Sequence, residues 1–247
     1  MKLEQVRQQL TTPLDAPAYG PGPFFFYGRE FFTIEYRTDL QAARRLVPEP
    51  LVLRDPIVRF EVVKMPDALT FGAYVEAGQT LAVELAGEPG QFALSMYLEN
   101  HPAIAGGREV AGFPKKLGSP QLFVDNDVLV GQLDYGTQRV ATATMAYKRA
   151  TLEAAEAKAE LSAPLYLLHR IPWYDGRGPR ISELLRLPPS DATKVVGGWT
   201  GPARLHLIPH VLAPVADLPV LEIVRATHIV ADFTYGPLEL AHDYLDG

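Results

Sequence analysis

The chain has 247 residues, of which 47% are hydrophobic and 21% are charged, and its formal net charge is −6 at pH 7. This length allows one large core or two small ones, and the composition is that of an ordinary globular protein. The negative charge gives no electrostatic case for binding nucleic acid or an anionic membrane, so an anionic substrate would need a local cationic pocket.

Other global features narrow the class further. The chain has no cysteine, which excludes disulfides and thiolate chemistry. The N-terminus lacks the apolar stretch of a signal peptide, and no apolar run is long enough to span a bilayer, so the sequence favours a cytoplasmic protein without a membrane partner. There is no repeat, low-complexity tract or linker, and we therefore expect a single domain over residues 1–247.

Short extended segments separated by Gly and Pro dominate the chain. In chain order the pattern predicts a helix at 39–46 that ends before Pro48, a strand at 57–63, a hairpin of 81–85 and 91–98 around a four-residue loop at 87–90, a hairpin of 121–124 and 128–134 around 125–127, a strand at 138–148, a helix at 152–161 capped by Thr151, and strands at 165–171, 194–198, 203–208 and 227–233. The predicted class is mainly β (α+β), an antiparallel barrel or sandwich with a few short helices.

A pair of lysines, Lys115 and Lys116, follows Gly112-Phe113-Pro114 in a segment of small and apolar residues. A solvated turn is the ordinary interpretation of such a pair. The alternative is an amine nucleophile, because burial of a lysine disfavours the ammonium form, lowers its pKa and leaves a neutral amine that can attack a carbonyl.

Single charged residues elsewhere allow two interpretations each. Arg29 follows four aromatic residues and a glycine, so it could be a desolvated anion clamp or an arginine stacked on an aromatic ring at the surface. Glu61 and Glu76 have apolar neighbours, but an isolated strand Glu most often faces solvent.

The histidines offer one weak metal motif. His206 and His210 have the four-residue spacing of helical metal ligands, but Pro209 lies between them and the surrounding pattern is that of a strand. The sequence therefore does not predict a metal site there.

Residues 107–116 closely resemble the Schiff-base segment of acetoacetate decarboxylases, and the resemblance continues through 122–127, 133–136, 140–145 and 199–202. It implies an antiparallel β-barrel or double-cone fold, decarboxylation of the β-keto acid acetoacetate to acetone and CO2 without a metal or organic cofactor, and a homo-oligomer, expected to be a dodecamer. The site residues that it implies are Lys115 as the imine-forming lysine, Lys116 as its cationic neighbour, Glu76 near the imine, Arg29 and Glu61 as a pocket pair, and Met96 and Phe113 as apolar wall. Some relatives carry Tyr where this chain has Phe113, which removes a hydroxyl from the pocket but leaves imine chemistry intact.

Strand geometry separates the two lysines. Adjacent residues of an extended segment point to opposite faces, so the ammonium groups should diverge and repel each other weakly. We therefore predict that apolar burial, rather than Lys116, makes Lys115 reactive. Glu76 opposes this activation, since a carboxylate favours the ammonium form; it must be protonated, or balanced by Arg29 or another cation. We expect it to act in orientation and proton transfer.

Two other functions remain compatible with the sequence. The same lysine pocket could perform aldol or dehydration chemistry on another keto acid, because all three reactions use iminium and enamine intermediates. A non-catalytic barrel could instead bind small carboxylates, with Lys115 and Arg29 as a simple anion site.

Overall fold

The computed structural model describes residues 1–246, and that part of the chain forms sixteen strands, four α-helices and one 3₁₀ turn at Val215–Asp217. The helices are α1 (Leu3–Arg7), α2 (Leu40–Arg44), α3 (His101–Ala111) and α4 (Ala154–Glu160). The strands are β1 (Phe25–Arg37), β2 (Ile57–Met65), β3 (Asp67–Ala68), β4 (Tyr74–Leu85), β5 (Glu88–Leu98), β6 (Lys115–Leu117), β7 (Ser119–Asp125), β8 (Val128–Tyr135), β9 (Gln138–Ala146), β10 (Ala150–Thr151), β11 (Leu165–Pro172), β12 (Pro179–Leu187), β13 (Lys194–Thr200), β14 (Ala203–Leu207), β15 (Glu222–Thr234) and β16 (Glu239–Asp243).

The strands form two sheets. The larger sheet has twelve strands in the order β10-β13-β15-β1-β2-β4-β5-β11-β12-β16, with β3 added to β1 and β6 added to β5. The smaller sheet has four strands in the order β14-β9-β8-β7. The mainly-β prediction is confirmed. The larger sheet is not closed into a barrel, because within residues 1–246 its strand path is open and ends at β10 and β16.

The two sheets pack face to face around the main core. Residues of β1 and β2 such as Phe32, Ile34 and Val62 share this core with Leu129 and Leu133 of β8. The sheets approach closely at Gly131, where a Cβ atom would lie 2.8 Å from Cγ2 of Val62. The main core is therefore enclosed between two packed sheets, and not inside a single sheet whose edge strands pair to form a barrel.

The first predicted hairpin has a shorter turn than expected. Ala86 and Gly87 form the turn with φ values of 50° and 90°, as a two-residue loop requires. The predicted four-residue loop at 87–90 is wrong because Pro89 already pairs with Glu84 in the sheet. The backbone N–H and C=O of Glu84 both form hydrogen bonds with Val52. Glu84 therefore needs no hydrogen bond from Pro89, which has no N–H to donate. The second hairpin is also tighter than predicted, since Asp125 pairs with Val128.

The predicted helices exist, with one wrong cap. The carboxylate of Asp39 accepts a hydrogen bond from the Ala42 N–H at 2.7 Å and begins α2. Helix α4 begins after Glu153 rather than Thr151, because Thr151 pairs with Trp199 in the sheet. The sequence analysis missed α3, in which the Asn100 side chain accepts a hydrogen bond from the Ala103 N–H at 2.9 Å. It also missed β1, β12 and β16. None of the helices within residues 1–246 is long and apolar enough to cross a membrane.

Candidate active site

The end of helix α3 positions Lys115. Gly112 ends the helix with a φ of 71°, and a Cβ at this residue would lie 2.5 Å from Cα of His169, so only glycine fits. Pro114 then prevents the helix from continuing, and Lys115 pairs with Met96 in the sheet. The Lys115 side chain runs across Gly107, where a Cβ would lie 2.8 Å from its Cδ atom. The lysine is 7% exposed and is therefore a buried residue.

The amine of Lys115 has an aromatic and apolar setting. Its Nζ atom lies 5.0 Å from the ring centre of Phe113 and 5.9 Å from that of Tyr74. Burial, followed by the nearby Glu76 carboxylate, raises the pKa of Tyr74 well above its usual value, so this hydroxyl stays protonated. The amine thus faces two aromatic rings on this side instead of water.

Lys116 points away from this site. Its side chain is exposed, and Nζ donates a hydrogen bond to the Leu212 carbonyl at 2.6 Å and lies 5.2 Å from the ring centre of Tyr135. The two lysines therefore contact different groups on opposite faces of β6, as the strand geometry predicted. The structure does not bring Lys116 into the pocket that contains Lys115.

Glu76 joins Lys115 to Arg29. Glu76 is 5% exposed on β4, with Oε2 3.4 Å from Nζ of Lys115 and Oε1 accepting a hydrogen bond from Nη2 of Arg29 at 3.2 Å. Arg29 also donates from Nη1 to the hydroxyl of Tyr235 at 3.2 Å. The three residues Arg29, Glu76 and Lys115 form a buried charged chain, so Arg29 balances the Glu76 charge.

Arg29 is buried against aromatic rings. Its guanidinium carbon lies 5.0 Å from the ring centre of Phe26, 4.7 Å from that of Phe31 and 5.2 Å from that of Phe233. Burial alone would lower the pKa of Arg29, but its contacts with Tyr235 and Glu76 raise it above the ordinary value. The arginine is therefore a desolvated, permanently charged group rather than a surface residue.

Glu61 lies near Arg29 without touching Lys115. It is half-buried on β2, and Oε1 accepts a hydrogen bond from the Thr33 hydroxyl at 3.4 Å. Burial raises the pKa of the Glu61 carboxyl, although Arg59 and Arg29 act in the opposite direction. Its protonated form is thus favoured more than that of an exposed Glu.

Two neighbouring cavities meet at the charged chain. The first, here called the polar chamber, has a volume of about 120 Å³, and its wall includes Arg29, Arg59, Glu61, Glu76, Met96 and Glu160. The second, here called the apolar chamber, has a volume of about 230 Å³, and its wall includes Phe24, Phe26, Phe71, Tyr74, Val110 and Lys115. Phe113, Leu187 and Tyr235 line both cavities. Of the residues proposed from sequence, only Lys116 lines neither.

Three residues of the site escaped the sequence analysis. Tyr74 lies two residues before Glu76 on β4, so the twofold strand period could have placed both on one face. Gly107 lies in the segment 107–116 that resembles the Schiff-base segment of the family, but no sequence pattern placed it against the Lys115 side chain. Tyr235 contacts Arg29 across 206 residues of chain, and no local pattern indicates that contact.

The histidine pair has structural contacts instead of a shared site. His206 lies on β14, whereas His210 accepts a hydrogen bond at Nδ1 from the Leu212 N–H at 3.1 Å, and its ring lies 5.0 Å from that of Tyr135. The region 1–246 contains no cluster of three or more His, Asp or Glu side chains suited to a metal ion.

Comparison with known proteins gives consistent results over the whole chain. The sequence profile of the acetoacetate decarboxylase family matches residues 11–245. The chain is 53% identical to an acetoacetate decarboxylase of Streptomyces nogalater, over 99% of this chain and 100% of that protein. A solved acetoacetate decarboxylase structure superimposes with a TM-score of 0.97 at 50% identity over 100% of both chains. That of Legionella pneumophila gives a TM-score of 0.91 at 41% identity, over 97% of this chain and 96% of the other. With a matching profile, fold and buried lysine segment, this chain belongs to the acetoacetate decarboxylase family.

Proposed function

We propose that the chain decarboxylates acetoacetate to acetone and CO2 through an imine on Lys115. One observation carries the proposal: the buried Lys115 amine opens into an apolar cavity and lies 3.4 Å from a carboxylate that a buried arginine already pairs. This arrangement places a nucleophile, Lys115, close to a cation that can bind an anion, Arg29, and beside an apolar cavity wall. Family membership makes acetoacetate the first substrate to test.

The reaction needs an acceptor for the electrons that remain when CO2 leaves. The neutral amine of Lys115 attacks the keto carbon, and loss of water gives an iminium. The electrons of the breaking carbon–carbon bond then move into the iminium, releasing CO2 and forming an enamine. A proton is added to the enamine carbon, and hydrolysis of the resulting iminium releases acetone and the free lysine.

The residues of the charged chain and their neighbours have different roles around this amine. Arg29 attracts and places the substrate carboxylate, and its position between Glu76 and Tyr235 keeps its orientation fixed. Glu76 holds the amine in position and transfers protons at it. Glu61 lies on the wall of the polar chamber and adjusts its charge, because its carboxyl can be neutral or ionised as an anion enters. Met96 and Phe113 keep water out of the space between these groups.

Borohydride trapping tests the imine directly. Incubation with acetoacetate and borohydride should leave a reduced covalent adduct on Lys115, which mass spectrometry locates. In a parallel reaction without borohydride, acetoacetate should release CO2 stoichiometrically. Lys115→Arg should lose both signals, whereas the matched variant Lys116→Arg should retain them. An adduct without CO2 release would favour aldol or dehydration chemistry, and binding without an adduct would indicate a non-catalytic carboxylate-binding protein.

Assembly and location are part of the proposal. The family resemblance favours a homo-oligomer, with a dodecamer as the expected form, in the cytoplasm. Exposed apolar side chains such as Val211, Leu212 and Val196, which are 89%, 54% and 64% exposed, would be covered between subunits. Native mass spectrometry measures the subunit number, and a monomer would contradict this part of the proposal.

A further inference from the structure

The proposed reaction consumes one proton in each turnover. Acetoacetate is an anion, whereas acetone and CO2 are neutral, so a proton from solvent must reach the enamine carbon. Glu76 can deliver that proton, but it is 5% exposed, and its two oxygens contact Arg29 and Lys115. A carboxyl group enclosed in this way needs other proton-carrying groups, or water, to take up the next proton.

Strand pairing places a row of residues between Lys115 and the outer helix α4. The row consists of the residues that face one another on six neighbouring strands of the larger sheet, which are Lys115, Met96, Gly78, Glu61, Thr33 and Thr227. Directly opposed residues of a sheet have their side chains on the same face. At the end of the row, the hydroxyl of Thr227 donates a hydrogen bond to Oε1 of Glu160, the last residue of α4. The row therefore connects the reactive lysine with a second buried carboxyl group.

Glu160 is a carboxyl group that none of the reaction steps uses. Its side chain is 8% exposed and lines the polar chamber, and Oε2 has no hydrogen-bond partner within residues 1–246. Nη2 of Arg225 lies 3.5 Å from that oxygen and also pairs with the exposed Glu156. Burial raises the pKa of Glu160, although Thr227 and the nearby arginines act in the opposite direction. This carboxyl group can therefore hold a proton at a higher pH than an exposed glutamate does.

Two cavities join Glu160 to Glu76. The polar chamber, of about 120 Å³, has Glu160, Glu61 and Glu76 in its wall. A smaller cavity, of about 20 Å³, has Glu61 and Glu76 in its wall together with Thr80 and Ser95. A water molecule needs about 10–15 Å³ of such space and polar partners, so the smaller cavity can hold one water and the polar chamber several. Proton transfer through a single water is within the ordinary reach of a carboxyl group.

We infer that Glu160 is a proton-relay residue, which supplies protons to Glu76 through Glu61 and the water of the two cavities. The inference rests on the proposed function, since it assumes an enamine on Lys115. The double-bond electrons of the enamine form a C–H bond with the proton of Glu76, and the nitrogen lone pair restores the iminium. Glu61 then returns a proton to Glu76, Glu160 returns one to Glu61, and solvent protonates Glu160. One proton is thus taken from solvent for each acetoacetate.

Deuterium uptake by acetone measures the relay separately from decarboxylation. Acetone bound to Lys115 as an imine forms the same enamine by losing a methyl proton, so in D2O its methyl groups gain deuterium, which NMR detects. Borohydride trapping of the acetone imine counts the sites that form it. Glu160→Gln should lower the exchange rate per trapped site by about tenfold or more, part of the roughly 10²–10⁴-fold that positioned proton transfer contributes. The yield of trapped Lys115 should not change.

Glu156→Gln is the matched control for this variant. Glu156 lies on the same helix and pairs with the same Nη2 of Arg225 at 2.7 Å, but its side chain is 53% exposed and lines neither of the two cavities. Its exchange rate per trapped site should equal that of the original protein. Equal slowing in both variants would assign the effect to the charge beside Arg225, and unchanged exchange in Glu160→Gln would exclude Glu160 from the proton route. Either result overturns the inference.

Thr227 offers a second test that leaves the carboxyl group in place. Thr227→Val keeps the shape of the side chain but removes the hydroxyl that orients Glu160, whereas Thr227→Ser keeps a hydroxyl. Exchange per trapped site should fall in the valine variant and recover in the serine variant. A purely structural role would change the trapped yield and the exchange together. Equal exchange rates per site in the two variants overturn the inference as well.

Failure of the relay and failure of the proposed function give different results. If the original protein shows neither a trapped adduct nor deuterium uptake into acetone, the proposed function fails. If it shows both, and Glu160→Gln exchanges at the original rate, only the relay fails.

Discussion

The amine of Lys115 lies 3.4 Å from Oε2 of Glu76, so a proposed nucleophile shares its buried site with a carboxylate. At an effective dielectric of about 20, two unit charges at this separation attract by roughly 5 kcal/mol. Removing an ammonium and a carboxylate from water costs several kcal/mol for each ion, which opposes that attraction. Arg29 pairs with the other oxygen of Glu76 and weakens the pull on the lysine. The Glu76 carboxylate is therefore shared between two buried cationic side chains.

Glu76→Gln should separate the two effects of this carboxylate. The amide keeps the shape of the side chain but removes the negative charge that favours the Lys115 ammonium. The acid limb of the pH–rate profile, where the rate falls as the pH is lowered, should therefore move to lower pH. Turnover itself should fall by about 10²–10⁴-fold, because the amide cannot transfer a proton. Steady-state rates at a series of pH values measure both changes.

The same strand offers a control for this variant. Glu84 also lies on β4 but pairs with the exposed Arg54 at 2.7 Å and lines neither chamber. Glu84→Gln should leave the pH–rate profile in place. Full turnover in Glu76→Gln would exclude a role of Glu76 in proton transfer.

Lys116→Met should change catalysis little. Lys116 is exposed and its amine donates to the Leu212 carbonyl, so its removal takes no charge from the pocket. We expect kcat/KM to stay within about threefold and the acid limb to stay in place, while the lost hydrogen bond costs about 0.5–1.5 kcal/mol of unfolding free energy. Rate profiles and urea unfolding measure the two quantities. A large displacement of the acid limb would show that Lys116, and not burial, activates Lys115.

Local patterns predicted much of this fold and only part of its site. Strand alternation indicated β2, β9 and β11 because each strand presents one face to the core. The pairing of β1 with β15 joins segments about two hundred residues apart, such as Arg29 with Ala231, and no local pattern encodes it. Helix α3 was missed because Pro102, Gly106 and Gly107 weaken the helical signal, although Asn100 caps it. Tyr235 was missed for the reason that hides the pairing of β1 with β15: its partner, Arg29, is distant in the chain.

Gly107→Ala should displace the reactive lysine. A Cβ atom at this position would lie 2.8 Å from Cδ and 3.1 Å from Cε of Lys115, too close for either to stay in place. A shift of about 1 Å at a reacting group can reduce rates by about 10²-fold. We expect kcat and the rate of borohydride trapping to fall together.

Gly106→Ala is the matched control for this displacement. Both changes increase helix propensity by about 1 kcal/mol, but a Cβ at Gly106 meets the ring of Tyr19 at 3.0 Å and not the lysine. Thermal unfolding should therefore respond to both variants, and trapping mainly to Gly107→Ala. Equal trapping rates would show that Lys115 has room to move.

Glu61→Gln should change how stability depends on pH. Burial raises the pKa of Glu61 in the folded protein, so the folded state holds this proton more tightly than the unfolded chain does. The contribution of Glu61 to the free energy of unfolding is therefore fully present below the ordinary pKa of a glutamate. It is lost as the pH rises through the raised pKa of Glu61 in the folded protein. Removing the titrating group should make the variant gain stability relative to the original chain over that interval. Urea unfolding at a series of pH values measures the difference, and a constant difference would contradict the prediction.

Tyr235→Phe tests the contact that fixes Arg29. The change removes the hydroxyl that accepts a hydrogen bond from Nη1 of Arg29, and this arginine is only 6% exposed. A buried donor without its acceptor costs about 1–3 kcal/mol of unfolding free energy, and more when the donor is charged. Because Arg29 then has Glu76 as its remaining anchor in the site, we also expect KM for acetoacetate to rise while kcat changes less.

A second buried tyrosine provides the comparison for Tyr235→Phe. The hydroxyl of Tyr166 is buried and has no hydrogen-bond partner among residues 1–246. Tyr166→Phe therefore removes an oxygen of the same kind without breaking a bond, and its unfolding free energy should be unchanged or increased. A loss of stability confined to Tyr235→Phe, accompanied by the rise in KM, assigns the effect to the Arg29 contact. If the two variants lose the same stability and KM does not move, Tyr235 only fills space between the chambers, and Arg29 is oriented by Glu76 and the surrounding aromatic rings alone.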